Sequence, residues 1–159
     1  MTDNTTATGP APAGYHRLNV FFAAPGCAKA IDFYQQALGA EVVKRMDTPD
    51  GQVMHAELRL GETMFQLSEP MPEYGILPSP AEGNAFTMTY WTTDVDEVFA
   101  KAVELGATPI NPVADSFSGD RMGVFRCPAG IRWCIARHDR DVPDEEIAAA
   151  ALEWTNSES

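Results

Sequence analysis

The hydrophobic pattern of this chain changes period several times, and each change marks an element. Between Gly26 and Gly39 the apolar residues Cys27, Ala30, Ile31, Tyr34 and Leu38 form one stripe of helical period. That spacing predicts an amphipathic helix ended by Gly39, followed by an extended run over 40–47. Around it lie alternating stretches, the period-two signature of strands with one buried face. Residues 15–22 set Leu18, Val20 and Phe22 against Arg17, Asn19 and Phe21. Residues 52–60 set Met54, Ala56 and Leu58 against His55, Glu57 and Arg59, and 63–68 set Phe65 and Leu67 against Met64, Gln66 and Ser68. Pro49-Asp50-Gly51 and Gly61-Glu62 are turn signals between them. The unit reads strand, helix, strand, strand, strand.

It then repeats. Val95, Val98, Phe99 and Ala102 restate the helical stripe, and Leu105-Gly106-Ala107 restates Leu38-Gly39-Ala40, roughly 68 residues downstream. Residues 85–92 alternate Phe86, Met88 and Tyr90 against Thr87, Thr89 and Trp91, and further extended runs cover 108–112, 121–126 and 131–138. At that offset Asn19 matches Thr87, and Gln66 matches Cys134. The expected fold is therefore α+β: two βαβββ modules, 15–68 and 85–138, in one domain over 15–138. They are expected to form a curved mixed sheet around a cleft, with the helices on its outer face. Proline-rich 69–84 reads as a connector or a flap. Residues 1–14 carry too little apolar surface to offset the entropy of ordering, which predicts a disordered tail. Residues 139–159 supply a C-terminal helix over 143–154, able to dock through Ile147, Ala151 and Trp154 on the domain or a second subunit.

Charge narrows the partners. A formal net charge of −12 argues against a phosphate-backbone partner and favours neutral or cationic ligands. No apolar run reaches membrane-spanning length, and the polar start is no signal peptide. Cys27, Cys127 and Cys134 are odd in number and lack metal spacing, as suits reduced thiols in a cytoplasmic protein. The expectation is a small-molecule partner, with neither nucleic acid nor membrane.

The hairpin register through Gly61-Glu62 puts Glu57 directly across from Gln66, with His55 on the same strand face. Glu57 is a candidate general base whose pKa a cleft would raise. The competing reading is a hydrogen-bonded pair lining a binding pocket, or an ion pair with Arg17 or Arg132. His55 and His138 with Glu57 are a further candidate metal set. Cys134 is either a nucleophile or a buried core thiol. Phe21, Trp91, Tyr74 and Phe117 are candidates for stacking on a flat ligand. Gly119-Asp120-Arg121 reads as a tight loop at the rim, without the glycine density or the helix of a phosphate loop.

The phrases CAKAIDFYQQALGAE, PDGQVMHAELRLGE, DVDEVFAKAVELGA and GDRMGVFRCPAGIRW resemble the vicinal oxygen chelate superfamily of glyoxalase I, bleomycin-resistance proteins and extradiol dioxygenases, and its PhnB-like branch in particular. In metal-dependent members the resemblance implies four ligands, from the first and last strands of both modules. The matching positions here are Asn19, Gln66, Thr87 and Cys134, of which only Gln66 is a usual ligand. No metal or other cofactor is therefore expected, with zinc, nickel or manganese as the alternative. The favoured function is a small-molecule binder, including a drug-sequestering resistance protein, with ligand contacts from Asn19, Phe21, Gln66, Thr87, Trp91, Arg132 and Cys134. The alternative is an enzyme of the superfamily, a lyase, isomerase or dioxygenase, working through Glu57 and His55 or a bound metal. A homodimer is expected, because open sheet edges need covering.

Overall fold

The computed structural model describes residues 9–157. Most of the expected tail, residues 1–8, lies outside them. The chain divides into two compact units that meet at Ala81 and Glu82, inside the segment read as a connector. Each unit holds a four-stranded mixed sheet and the first strand–helix–three-strand order is written twice.

Unit one runs β1 (Val20–Ala23), α1 (Cys27–Phe33), β2 (Glu41–Asp47), β3 (Val53–Leu60) and β4 (Thr63–Ser68). The sheet order is β1-β4-β3-β2, with β1 parallel to β4 and the other pairs antiparallel. Cys27, Ala30, Ile31, Tyr34 and Leu38 are all buried, as their spacing predicts. The N-terminus of α1 is capped from a distance: the Glu69 carboxylate accepts from the amides of Gly26 (3.1 Å) and Cys27 (2.7 Å). The helix does not run evenly to Gly39. From Tyr34 to Leu38 it widens into a π turn, closed by the Gly39 amide, which reaches the Tyr34 and Gln35 carbonyls. The wider turn accommodates the fully buried Tyr34 ring, which meets Phe22, Phe33 and Phe65 edge-on.

Two departures from simple alternation follow from local causes. The first strand is only four residues long, so Leu18 lies outside it and is 89% exposed rather than in the core. Met54 is exposed because the β2–β3 ladder shifts between Met46 and Asp47, which leaves Met54 as the extra, unpaired residue of a bulge in β3.

Unit two runs β5 (Thr87–Trp91), α2 (Val95–Glu104), β6 (Thr108–Asp115), β7 (Asp120–Arg126), β8 (Arg132–His138) and α3 (Asp144–Ser157). Its sheet order, β5-β8-β7-β6, repeats that of unit one position for position. Trp133, Phe125, Ile131 and Ile135 are fully buried, as are Val95 and Ala102 of α2. The Pro143 carbonyl opens α3, accepting from the amides of Glu146 and Ile147. Within its own chain α3 stays at the surface, so of the two expected docking surfaces the domain is not used. None of its residues is buried and Trp154 is 57% exposed, since an alanine-rich face offers little apolar area to bury. Residues 69–81 are not patternless: Pro72–Tyr74 forms a 3₁₀ turn and Met71 bridges Ile76.

Candidate functional site

In unit one the ladder builds a single row across the sheet. Phe21 pairs with Gln66, Gln66 with Glu57, and Glu57 with Lys44. Side chains of laterally paired residues share a face, so the register expected for Glu57 and Gln66 brings an acid, an amide and an ammonium side by side. His55 joins them: its Nε2 lies 3.2 Å from Glu57 Oε1, and its ring is nearly parallel to Phe21 at 6.0 Å between centroids. Asn19, just ahead of β1, faces the same side. Its Nδ2 donates to the His16 carbonyl at 2.6 Å, while its Oδ1 is buried without a hydrogen-bond partner.

Tyr15 completes the arrangement, and the chain's alternation hid it by placing it in a strand. It stands instead on a turn, with its amide donating to the Pro12 carbonyl (3.1 Å) and its hydroxyl accepting from Gln66 Nε2 (3.3 Å). Pro12, Tyr15, Asn19, Lys44, Glu57 and Gln66 enclose a cavity of about 380 Å³. Lys44 was missed for a related reason. The ladder shifts between Val42 and Lys44, so Lys44, and not Val43, meets Glu57. Only the shift signals this, and nothing in the sequence marks it.

The electrostatics run opposite to the expectation for a general base. The Tyr15 hydroxyl is the largest influence on the Glu57 carboxyl and pulls its pKa below the usual carboxylate range; His55 and Lys44 add to this and outweigh burial. Burial, then Glu57 itself, pushes the Tyr15 phenol up. Glu57 is an ionised acceptor and a weak base. Its side-chain neighbour on the strand is His55, while Arg132 bonds to Thr87.

The other candidates, Tyr74 apart, fall in unit two. Thr87 pairs with Arg132, Thr89 with Cys134, and Trp91 with Ala136. Arg132 Nη1 donates to Thr87 Oγ1 at 2.5 Å. Cys134 is buried, and desolvation raises its thiol pKa, which is the behaviour of a core thiol and not of a nucleophile. It clusters with Val124, Ala136 and Met122. His138 is held between Asp120 and Asp141. Tyr74 and Phe117 are exposed on turns, and Trp91 is 56% exposed.

The four positions that match a metal quartet do not suit a divalent ion. The Thr87 hydroxyl already accepts from the Arg132 guanidinium, and burial raises the Cys134 thiol pKa and so favours the neutral thiol over the thiolate a metal needs. Asn19 and Gln66 are neutral amides, and no three His, Cys, Asp or Glu side chains converge among the described residues.

Comparison with known proteins agrees with the repeated topology. An uncharacterized protein of Mycobacterium bovis is 35% identical over 127 residues, which cover 77% of this chain and 84% of that protein. The crystal structure of TioX from Micromonospora is similar at 25% identity and a TM-score of 0.58, over 76% of this chain and 95% of that one. A PhnB protein of Bacillus cereus shares the fold at 18% identity and a TM-score of 0.59, over 77% of this chain and 99% of that one. The family model for the glyoxalase/bleomycin resistance protein/dioxygenase superfamily matches residues 17–135, and the chain belongs to that superfamily.

Proposed function

We propose that the unit-one face binds a flat small molecule and presents Glu57 to a cationic or hydrogen-bond-donating group on it. The observation that carries this reading is the Glu57 carboxylate opening on a cavity of about 380 Å³ beside the parallel rings of Phe21 and His55. That volume lies within the usual range of small-molecule sites. The unpartnered Asn19 Oδ1 is a second acceptor in its wall. The lowered Glu57 pKa supports binding over proton abstraction. The function so read is sequestration, as the bleomycin-resistance part of the superfamily name suggests, in a cytoplasmic, PhnB-like protein.

Titration calorimetry with a flat cation such as benzamidine tests it. Glu57→Gln keeps the shape and removes the charge, so binding should weaken by about 1–3 kcal/mol, the scale of a charge-assisted hydrogen bond. Because the folded pKa of Glu57 is depressed, binding should persist below the ordinary carboxylate pKa and fail only as pH falls through the folded value. Tyr15→Phe removes the main stabiliser and should move that failure to higher pH.

His55 within 3.2 Å of Glu57 also supports a second reading, an acid–base enzyme. In that case Glu57→Gln spares affinity and abolishes product after prolonged incubation. We further propose a homodimer, since β2 and β6 are exposed edge strands carrying Val42, Val43, Met46 and Ile110 at the surface. Light scattering that returns a monomer mass at tens of micromolar, a rough working concentration for such a pair, rejects it.

A further inference from the structure

We propose that the unit-two sheet carries an oxyanion seat at Arg132 and Thr87, suited to a carboxylate or phosphate group of a ligand. The two repeats differ here in a single row. In unit one Glu41 pairs with Arg59, and Arg59 with Met64; the Glu41 carboxylate accepts directly from Arg59. In unit two the row reads Thr108, Arg126, Arg132, Thr87. The repeat has put a second guanidinium where unit one has Met64, and a neutral hydroxyl where unit one has its carboxylate. Two like charges directly opposed on neighbouring antiparallel strands destabilise a sheet.

Half of the arginines are paired with a carboxylate. Arg45 faces Asp47, Arg59 faces Glu41, Arg121 faces Asp96 and Asp115, and Arg137 faces Asp139. Arg132 is paired with no carboxylate among the described residues, and its side-chain bond goes to the Thr87 hydroxyl. Arg126 is tied into the backbone, with Nε donating to the Gly130 carbonyl (3.0 Å) and Nη2 reaching the Gly83 carbonyl (3.5 Å). Arg132 is half-buried and commits only Nη1, to Thr87 Oγ1. That bond holds the guanidinium plane in place and leaves the rest of its donor fork to a guest. A fork of fixed geometry matches the paired oxygens of a carboxylate or phosphate better than it matches a halide. The same strand face continues through Thr89 and Cys134, so an organic body attached to the anion meets small, weakly polar side chains. The seat lies in the other unit from Glu57 and does not depend on the reading of that site.

The full chain, in an oxyanion-free chloride buffer at fixed ionic strength, is titrated calorimetrically with inorganic phosphate and separately with phenylacetate. The probe that binds identifies whether phosphate or carboxylate is preferred. At least one should bind saturably and raise the melting temperature, as a species that binds the native state must. Arg132→Gln should weaken it by about tenfold or more, and Arg132→Lys, with charge but no fork, by about threefold or more. Arg59→Gln, the ion-paired counterpart in unit one, should leave it unchanged. Two results overturn the seat: neither anion binding by about 10 mM, or binding undiminished in both Arg132 variants. If Arg132→Gln does not fold, the Lys variant alone decides, and unchanged affinity in it rejects the forked geometry.

Discussion

The two units place the same row at the centre of the same sheet and fill it with different chemistry. In unit one it reads Phe21, Gln66, Glu57, Lys44; in unit two it reads Thr89, Cys134, Val124, Asn111. The first holds an ionised acid against an ammonium and an imidazole. The second is apolar at its middle, where Val124 and Cys134 are buried beside Ala136. The residues that face the helices hardly differ: Cys27 and Val95, Ala40 and Ala107, Phe65 and Trp133, Leu67 and Ile135 are all buried in both units. Burial constrains one face to stay apolar and closely packed. The opposite face has no such demand, so the duplicated surface was free to acquire an acceptor in one unit and a guanidinium in the other.

The sharpest way to break this comparison is in the core. Phe65 and Trp133 occupy equivalent positions, and each is 1% exposed. Phe65→Ala and Trp133→Ala should each cost about 3–5 kcal/mol, the usual penalty for removing a buried aromatic side chain. Urea unfolding measures both. A cost below about 1 kcal/mol at either position shows that the two cores are not equivalent.

Smaller, and unequal, effects are expected at a matched pair of glycines. Gly51 and Gly119 both turn the chain into the third strand of their unit, and both have positive φ, 85° and 90°. A Cβ at Gly51 meets open space, so Gly51→Ala should cost only the backbone strain, about 1–2 kcal/mol. A Cβ at Gly119 collides with the Arg140 carbonyl and lies 2.9 Å from Val142 Cγ2. The Gly119 carbonyl also accepts from the amides of Asp139 (3.0 Å) and Arg140 (3.1 Å). Gly119→Ala should therefore cost clearly more than its counterpart, by about 1–2 kcal/mol further. Equal melting temperatures for the two variants would mean that the 139–142 segment does not press on this turn.

These pairs show why the fold was legible and the site only partly so. Core positions repeat with a period that any buried helix or strand must obey, so the stripe from Cys27 and its echo from Val95 fixed both units. The Glu57–Gln66 pairing was readable because a two-residue turn sets hairpin register. Lys44 was not, because a ladder shift moved it by one place. Tyr15 reaches the site from a turn whose conformation no periodicity encodes. The raised pKa expected for Glu57 assumed that burial would dominate, and the hydroxyl of Tyr15 reverses that sign. Arg132 was visible as a cation, but its missing counter-ion emerges only when its row is set against Glu41, Arg59 and Met64.

The smallest expected effect separates the units by pH. Both ring nitrogens of His138 lie within hydrogen-bond distance of carboxylate oxygens: Nδ1 2.7 Å from Asp120 and Nε2 2.9 Å from Asp141. Ionised carboxylates only accept, so both contacts become hydrogen bonds when the ring is an imidazolium, and the geometry favours that form. The two bonds, Asp120 first, raise the His138 pKa above its ordinary value. The nearby charges are accounted for: Arg137 holds Asp139, Arg121 holds Asp96 and Asp115, and Ser118 donates to Asp120. A raised folded pKa gives stabilisation that is complete below the ordinary histidine value and is lost as pH rises through the folded one. The Asp120 pKa is lowered by the same contact, so its share is lost at the acid end, as pH falls through its own folded value. The clasp joins β7 to the segment leading into α3, and among the described residues of unit one, whose last strand ends at Ser68, no histidine is held between two carboxylates. Hydrogen exchange at the amides of Asp139 and Arg140 should therefore lose protection as pH rises above the ordinary histidine value, beyond the intrinsic rate. His138→Gln should remove that extra pH dependence and leave the amides of unit one unaffected. An undiminished pH slope in the variant would assign it to another group and erase this difference between the units.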